Sequence, residues 1–367
     1  MGVSATRMFL ESLSLSQFRN FPSAVITPGK TVNIISGANG SGKTSLIEAI
    51  YCLGFGRSFR PGTYRQLIRN DESQFTVFAR VTEQDGRKHQ VGYQRNTTGE
   101  VQLRIDHAKE KRFSALARLV PVQLMTPESI ELVLGGPKVR RQFIDWGVFH
   151  VEHSFYSDWV GFSKLLKQRN SLLKMKRFHQ EHQYWDEKFS EFGERIHQHR
   201  TKYIEAFLPV LKQRLVSFLP DYEFDFYLRS GWDKEIRLCD ALVKHREQDL
   251  RYGHSTVGPH KAELKILANG EEVKNLLSRG QLKLLVAALK LVQGEYLQQQ
   301  TGVQCIYLVD DITAELDSVS QEKFCGALVA SNSQVFVSAI NGDDVHAQLK
   351  TKDTKMFHVE HGTVKEQ

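Results

Sequence analysis

The stretch Gly37-Ala38-Asn39-Gly40-Ser41-Gly42-Lys43-Thr44 constrains this chain more than any other. Val32, Ile34 and Ile35 predict a strand before it, and Ser45-Leu46-Ile47-Glu48-Ala49-Ile50 a helix after it. In that setting the glycines free backbone N–H groups to wrap phosphates, and the helix N-terminus adds its positive dipole end. Lys43 reaches the β and γ oxygens, and the Thr44 hydroxyl is a ligand for Mg²⁺. A glycine-rich turn without a ligand is the alternative, and the strand-loop-helix context argues against it.

A second motif lies far downstream. Cys305-Ile306-Tyr307-Leu308-Val309-Asp310-Asp311 is an apolar strand ending in two carboxylates. That arrangement places one acid on Mg²⁺ and the next beside an attacking water. Standing alone it would equally suit a buried strand that ends in Asp at a turn. Before it, Leu277-Ser278-Arg279-Gly280-Gln281 opens an apolar-periodic helix over Leu282 to Leu291. Such a turn offers backbone N–H groups and a hydroxyl to an anion, and the same residues would also make an ordinary helix N-cap.

Read together, the loop, the Ser-x-Gly-Gln turn, the acid pair and Ala314-Glu315-Leu316-Asp317 resemble the ABC-type ATPase heads of the SMC-like class. The resemblance narrows to the RecF recombination mediators. Leu13 to Phe21, Gly54 to Arg60, Gly136 to Asp145, Leu166 to Asn170 and Val257 to Lys261 carry it, in order, from about Phe9 to Ile340. It implies an α/β fold: an ABC-type P-loop ATPase head with a compact helical second lobe. It further implies that Lys43 and Asp311 are catalytic, that Thr44 and Asp310 hold Mg²⁺, and that Arg19 joins Gly37 to Thr44 in binding ATP. Ser278, Gly280 and Gln281 would cap the γ-phosphate held by a second subunit, so that ATP joins two heads into a homodimer. The function implied is a switch with weak, DNA-stimulated ATPase activity. It would clamp double-stranded DNA near gaps and, with RecR and RecO, promote RecA loading in repair, replication and the SOS response. Two departures from the family pattern stand out. Lys261-Ala262-Glu263 replaces the usual Arg-Asp-Asp, and Ser338-Ala339 stands where a Thr usually ends the last core strand.

Composition fits a large globular protein, with 41% hydrophobic and 25% charged residues among 367, and lacks any apolar run of membrane-spanning length. No cleavable signal is evident, so a cytoplasmic location is expected. Met1 to Thr6 matches a myristoylation pattern, although an extended start ahead of Met8 is the simpler reading. Cys52, Cys239, Cys305 and Cys325 lack paired metal-type spacing, which suits reduced thiols.

The net charge of +7 favours a polyanionic partner. Arg57, Arg60 and Arg65, interleaved with Phe59 and Tyr64, are candidate DNA contacts, and Lys164, Lys167, Arg169, Lys174, Lys176 and Arg177 extend the basic set. Each of them singly would also serve as solvated surface charge. Strands are expected over Val32–Ile35, Phe75–Val81, Val91–Tyr93 and Val101–Ile105. Helical spacing takes over between Arg140 and Phe218, where Trp185, Phe189, Phe192, Ile196, Tyr203, Phe207 and Leu211 form a core stripe. The expected lobes are therefore 8–139 and 221–367 for ATP and 140–220 for the helices, without the sustained heptads of a long coiled-coil arm.

Two rivals remain. A transporter ATPase subunit conflicts with the absent switch His, the variant turn and the large helical insertion. An ATPase-nuclease of the overcoming-lysogenisation type would need an added metal-carboxylate domain, for which the chain to Gln367 is expected to leave no room; Gly342-Asp343-Asp344 is expected to be a turn.

Overall fold

The computed structural model describes residues 8–83, 85–175, 182–311, 316–349 and 351–367. The expectations for residues 1–7, Lys176, Arg177 and Ala314-Glu315 lie outside the described residues. The chain packs into two units, Met1–Ser129 with Lys283–Gln367, and Ile130–Leu282.

In the first unit, alternation of inward apolar and outward polar side chains along Phe9–Phe18 and Gln74–Thr82 produces a half-buried antiparallel sheet. Its six strands run in the order Phe21–Ile26, Phe9–Phe18, Gln74–Thr82, Lys88–Asn96, Val101–Ile105 and Ala108–Glu110. A second six-stranded sheet orders Thr363–Glu366, Lys355–Glu360, Val32–Ser36, Val335–Ala339, Ile306–Val309 and Val122–Met125. It is parallel except for its terminal hairpin. Its central strands Val32–Ser36, Ile306–Val309 and Val335–Ala339 are buried along their whole length, as parallel strands covered on both faces are. The Lys43–Phe55 helix shares one core with both sheets: Leu46, Ile50 and Leu53 join Leu15, Phe18, Phe75 and Tyr93 of the first and Ile35, Leu308, Phe336 and Phe357 of the second. Gly342-Asp343-Asp344 opens the Gly342–Leu349 helix instead of making an isolated turn, with both acids in its first turn, where the helix dipole favours them.

The second unit combines the helices Pro137–Val151, Phe155–Lys174, His182–Phe218, Leu238–Lys244 and Arg246–Tyr252 with a three-stranded antiparallel sheet. Along the 37-residue His182–Phe218 helix, Phe189, Ile196, Tyr203, Phe207 and Leu211 are buried as their spacing predicts, while Trp185 and Phe192 are half-buried. Each fully buried side chain of this kind contributes roughly 1.5–3 kcal/mol.

This unit is wider than the 140–220 segment expected from periodicity. Phe224–Arg229 and Ala262–Ile266, assigned above to the ATP lobe, pair here with each other, and the Pro137–Val151 helix packs on that sheet. Arg140 clamps Glu263 through two hydrogen bonds of 2.7 and 2.9 Å, so Glu263 in the departing Lys261-Ala262-Glu263 segment has a charge partner. Among the described residues no helix is long and apolar enough to cross a membrane.

Candidate functional site

The loop 37–44 connects the Val32–Ser36 strand to the Lys43–Phe55 helix, and two of its glycines are required by its geometry. Gly37 and Gly42 adopt φ of 146° and 122°, a region that side chains rarely enter. A Cβ on Gly37 would stand 2.3 Å from the Val359 carbonyl, and one on Gly42 would stand 2.5 Å from Asn20 Nδ2. Asn20 Nδ2 also donates to the Ser41 carbonyl at 2.8 Å, bracing the loop from the first sheet. Ala38, Asn39 and Gly40 are exposed. The helix has no side-chain cap and no acid in its first turn. Its first N–H groups are thus left for an anion.

Lys43 Nζ donates to the carbonyls of Gly37 and Ala38 at 2.7 and 3.0 Å, folded over the loop it serves. Burial pulls its pKa below the ordinary lysine value, against the opposing pull of Asp311 and Asp310. Across from it, Thr44 Oγ1 donates to Asp310 Oδ1 at 3.1 Å, and Ser338 Oγ donates to the same oxygen at 2.6 Å. Burial raises the Asp310 pKa, while the Ser338 and Thr44 hydroxyls pull the other way. A carboxylate penalised by desolvation beside a Thr hydroxyl is the oxygen donor set a hard divalent cation uses. Asp311 N–H donates to Ser338 Oγ at 2.9 Å, and Asp311 holds φ at 56°, the left-handed region. The single Ser338 hydroxyl therefore holds the Asp310 carboxylate and the Asp311 backbone. The loop, Asp310 and Asp311 line one cleft of about 860 Å³ with Arg19, Asn20, Arg60 and Ser338.

Arg19 reaches that cleft from a strained position of its own, φ 54°, with its guanidinium bidentate on Glu48 at 2.8 and 2.6 Å. Of the three arginines expected on a DNA surface, Arg57 and Arg65 are exposed, and Arg65 Nε also donates to the Thr97 carbonyl at 3.2 Å. Arg60 is half-buried, lines the cleft and lies 3.7 Å from Glu48. Arg169 departs from the expected basic surface. It is only 1% exposed and bonded to Asp186, Asp249 and Ser255, so it is a core residue of the second unit and no part of a basic surface. Lys164, Lys167 and Lys174 are exposed.

The turn in the second unit is built as a reciprocal box. Ser278 N–H donates to Gln281 Oε1 at 2.9 Å, and Gln281 N–H donates to Ser278 Oγ at 3.3 Å. This capping box satisfies two donors at the start of the Arg279–Thr301 helix. Ser278 remains exposed, and a Cβ on Gly280 would meet open space. Three more residues of the first unit's site are set by contacts distant in sequence. Ser338 is marked in the sequence only as a substitution for Thr, Asn20 only as part of the Leu13 to Phe21 run, and Glu48 as a charge inside the apolar run Leu46 to Ile50.

Residues 9–365 match the family model described as the RecF/RecN/SMC N-terminal domain. The chain is 53% identical over 360 residues to the DNA replication and repair protein RecF of Idiomarina loihiensis, covering 98% of this chain and all of that protein. It is 42% identical to the RecF of Vibrio atlanticus over 98% of this chain and all of that one. Among solved structures, the recombination mediator RecF with ATP in the RecFOR pathway superposes with a TM-score of 0.89 at 27% identity over the whole of both chains. An SMC head bound to the C-terminal winged-helix domain of ScpA gives 0.61 at 16% identity over 98% of this chain and 97% of that one, a likeness of fold alone.

Proposed function

The chain belongs to the RecF branch of the RecF/RecN/SMC family, and from that premise we propose that it is an ATP-dependent DNA-binding switch of replication and recombinational repair. The observation that carries this reading is the convergence of the phosphate loop, Thr44, Asp310, Ser338 and Asp311 on one cleft. Lys43 would exchange its bonds to the Gly37 and Ala38 carbonyls for phosphate oxygens, while the loop N–H groups hold the chain of phosphates. Thr44 and Asp310 would hold Mg²⁺, which when bound neutralises phosphate charge and orients the terminal group. Asp311, set in place by Ser338, orients the attacking water and accepts its proton.

Slow turnover suits a switch. Ser278, Gly280 and Gln281 would close on the nucleotide of a second copy, making a homodimer that clamps duplex DNA beside a gap. Arg57 and Arg65 are its basic contacts on the first unit. By the same family reading it works in the cytoplasm with RecR, RecO and RecA, and the full-length match to proteins named for DNA replication and repair leaves the transporter and nuclease readings without support. The test is binding to gapped, duplex and single-stranded DNA with and without ATP and Mg²⁺. ATP-dependent retention of gapped duplex by wild type, lost in Lys43→Ala, is expected. Wild type that retains no DNA with ATP present overturns the reading.

A further inference from the structure

Glu48 is an anomaly in the Lys43–Phe55 helix. Its neighbours Ile47, Ala49 and Ile50 are core residues, and its own carboxylate is 0% exposed. Arg19 grips it with Nε at 2.8 Å and Nη2 at 2.6 Å, Ser58 Oγ donates to Oε1, and Arg60 Nε stands at 3.7 Å from Oε2. One carboxylate thus ties together the turn at Arg19, the phosphate-loop helix and the 58–60 segment, whose Arg60 N–H also donates to Ser58 Oγ at 2.8 Å. Two arginines share one buried acid, and both line the cleft, whose wall also carries Lys43, Arg69 and the acids Asp71, Glu72, Asp310 and Asp311. The two contacts are unequal. Arg19 makes two short, geometrically matched bonds, whereas Arg60 makes one long electrostatic contact and keeps its side chain 32% exposed.

We propose that Glu48 is a positioning residue that competes with the nucleotide for Arg60: it holds Arg19 permanently and surrenders Arg60 to phosphate when the cleft fills. Arg60 is then the exchangeable cation of the site, and filling the cleft changes how the loop beginning at the exposed Arg57 is anchored. This inference rests on the nucleotide reading of the cleft.

The competition has a sign that a purely structural role lacks. An acid that merely supports the fold weakens ATP binding when removed. An acid that holds Arg60 back strengthens ATP binding when removed, and only while Arg60 is present. ATP affinity is therefore measured by titration with Mg²⁺ for wild type, Glu48→Gln, Arg60→Gln and the double variant. The proposal predicts about fivefold tighter binding in Glu48→Gln, with the gain disappearing in the Arg60→Gln background. Glu48→Asp keeps the charge but draws the carboxylate back from both arginines, so the longer Arg60 contact is lost before the two short Arg19 bonds; it should tighten binding about twofold, again only with Arg60 present, and carries the same cycle if Glu48→Gln does not fold. Weaker or unchanged binding in the Glu48 variants overturns the proposal, as does a gain that persists in the Arg60→Gln background. If wild type itself binds no ATP, the nucleotide reading falls and takes the proposal with it; normal wild-type binding without the predicted cycle sinks the proposal alone.

Discussion

Each unit buries arginine against carboxylate, and the two do it differently. In the second unit Arg169 lies between Asp186 at 2.9 Å and Asp249 at 2.6 Å, with Arg246 at 3.7 Å from Asp186. Two arginines face two aspartates, and Ser255, Asn170 and Thr256 extend the network with further hydrogen bonds. In the first unit Arg19 and Arg60 share Glu48 at the wall of an open cleft that Asp310 and Asp311 also line. The outer contacts are alike, since Arg246 and Arg60 each stand 3.7 Å from their acid and are about a third exposed. The difference is location: Arg60 lines the phosphate-loop cleft, where an anion can reach it.

The largest effect expected from this contrast is on stability. Arg169→Ala leaves Asp249 buried without its cation and Asp186 with only the longer contact to Arg246, and should cost about 3–5 kcal/mol in urea unfolding. ATP affinity of the remaining folded protein should be unchanged. A loss below about 1 kcal/mol, or a parallel loss of ATP binding, would break the division between the clusters.

Next in size is a pH effect in the same unit. His260 packs between Phe162 and Phe189 and donates from Nε2–H to the Ser255 carbonyl at 3.0 Å, and burial pushes its pKa down to about 4. The unfolded chain takes up a proton near pH 6.5 while the folded one resists until about 4. Stability is therefore fully present above about pH 6.5 and is lost as pH falls through that window, by about 3 kcal/mol. His260→Gln should flatten the decline in urea midpoints between pH 7 and 4; an equally steep decline would assign the titration to other groups.

The smallest effect has the opposite sign to most mutations. Asp310 is held as a carboxylate against its desolvation, so its ionised form weakens the ligand-free fold at neutral pH. Asp310→Asn should raise the melting temperature of the ligand-free protein by about 2–4 °C, while abolishing the further rise that Mg²⁺ with ATP gives wild type. A lower melting temperature in Asp310→Asn would place Asp310 with the structural charges of the second unit.

What the sequence revealed follows from how far apart the interacting residues lie. The phosphate loop, the paired acids and the Ser278 turn are local, each with its own spacing, and all were readable along with the strand and helix periods that flank them. Arg169 was misread as surface because its helix position looks polar and its partners Asp186 and Asp249 come from other elements. A division at residue 220 follows from periodicity alone: Phe224–Arg229 reads as one more strand, and its pairing with Glu263–Ala268 decides which unit it joins. Ser338 became a site residue only once the Val335–Ala339 strand was seen beside Ile306–Val309, bringing its hydroxyl to Asp310 and Asp311.

In the proposed dimer the nucleotide held by the phosphate loop of one copy is closed by the Ser278 turn of another. The most direct test of that shared site is sedimentation of Ser278→Arg and Lys43→Ala proteins, separately and mixed, with ATP and Mg²⁺. Ser278→Arg should bind ATP yet stay monomeric, Lys43→Ala should fail to bind it, and the mixture should recover part of the ATP-dependent dimer, since one of its two composite sites keeps both an intact loop and an intact turn. If the turn is only the capping box of its helix, Ser278→Arg costs about 1 kcal/mol of stability and dimerises with ATP as wild type does, and that result would contradict the shared site.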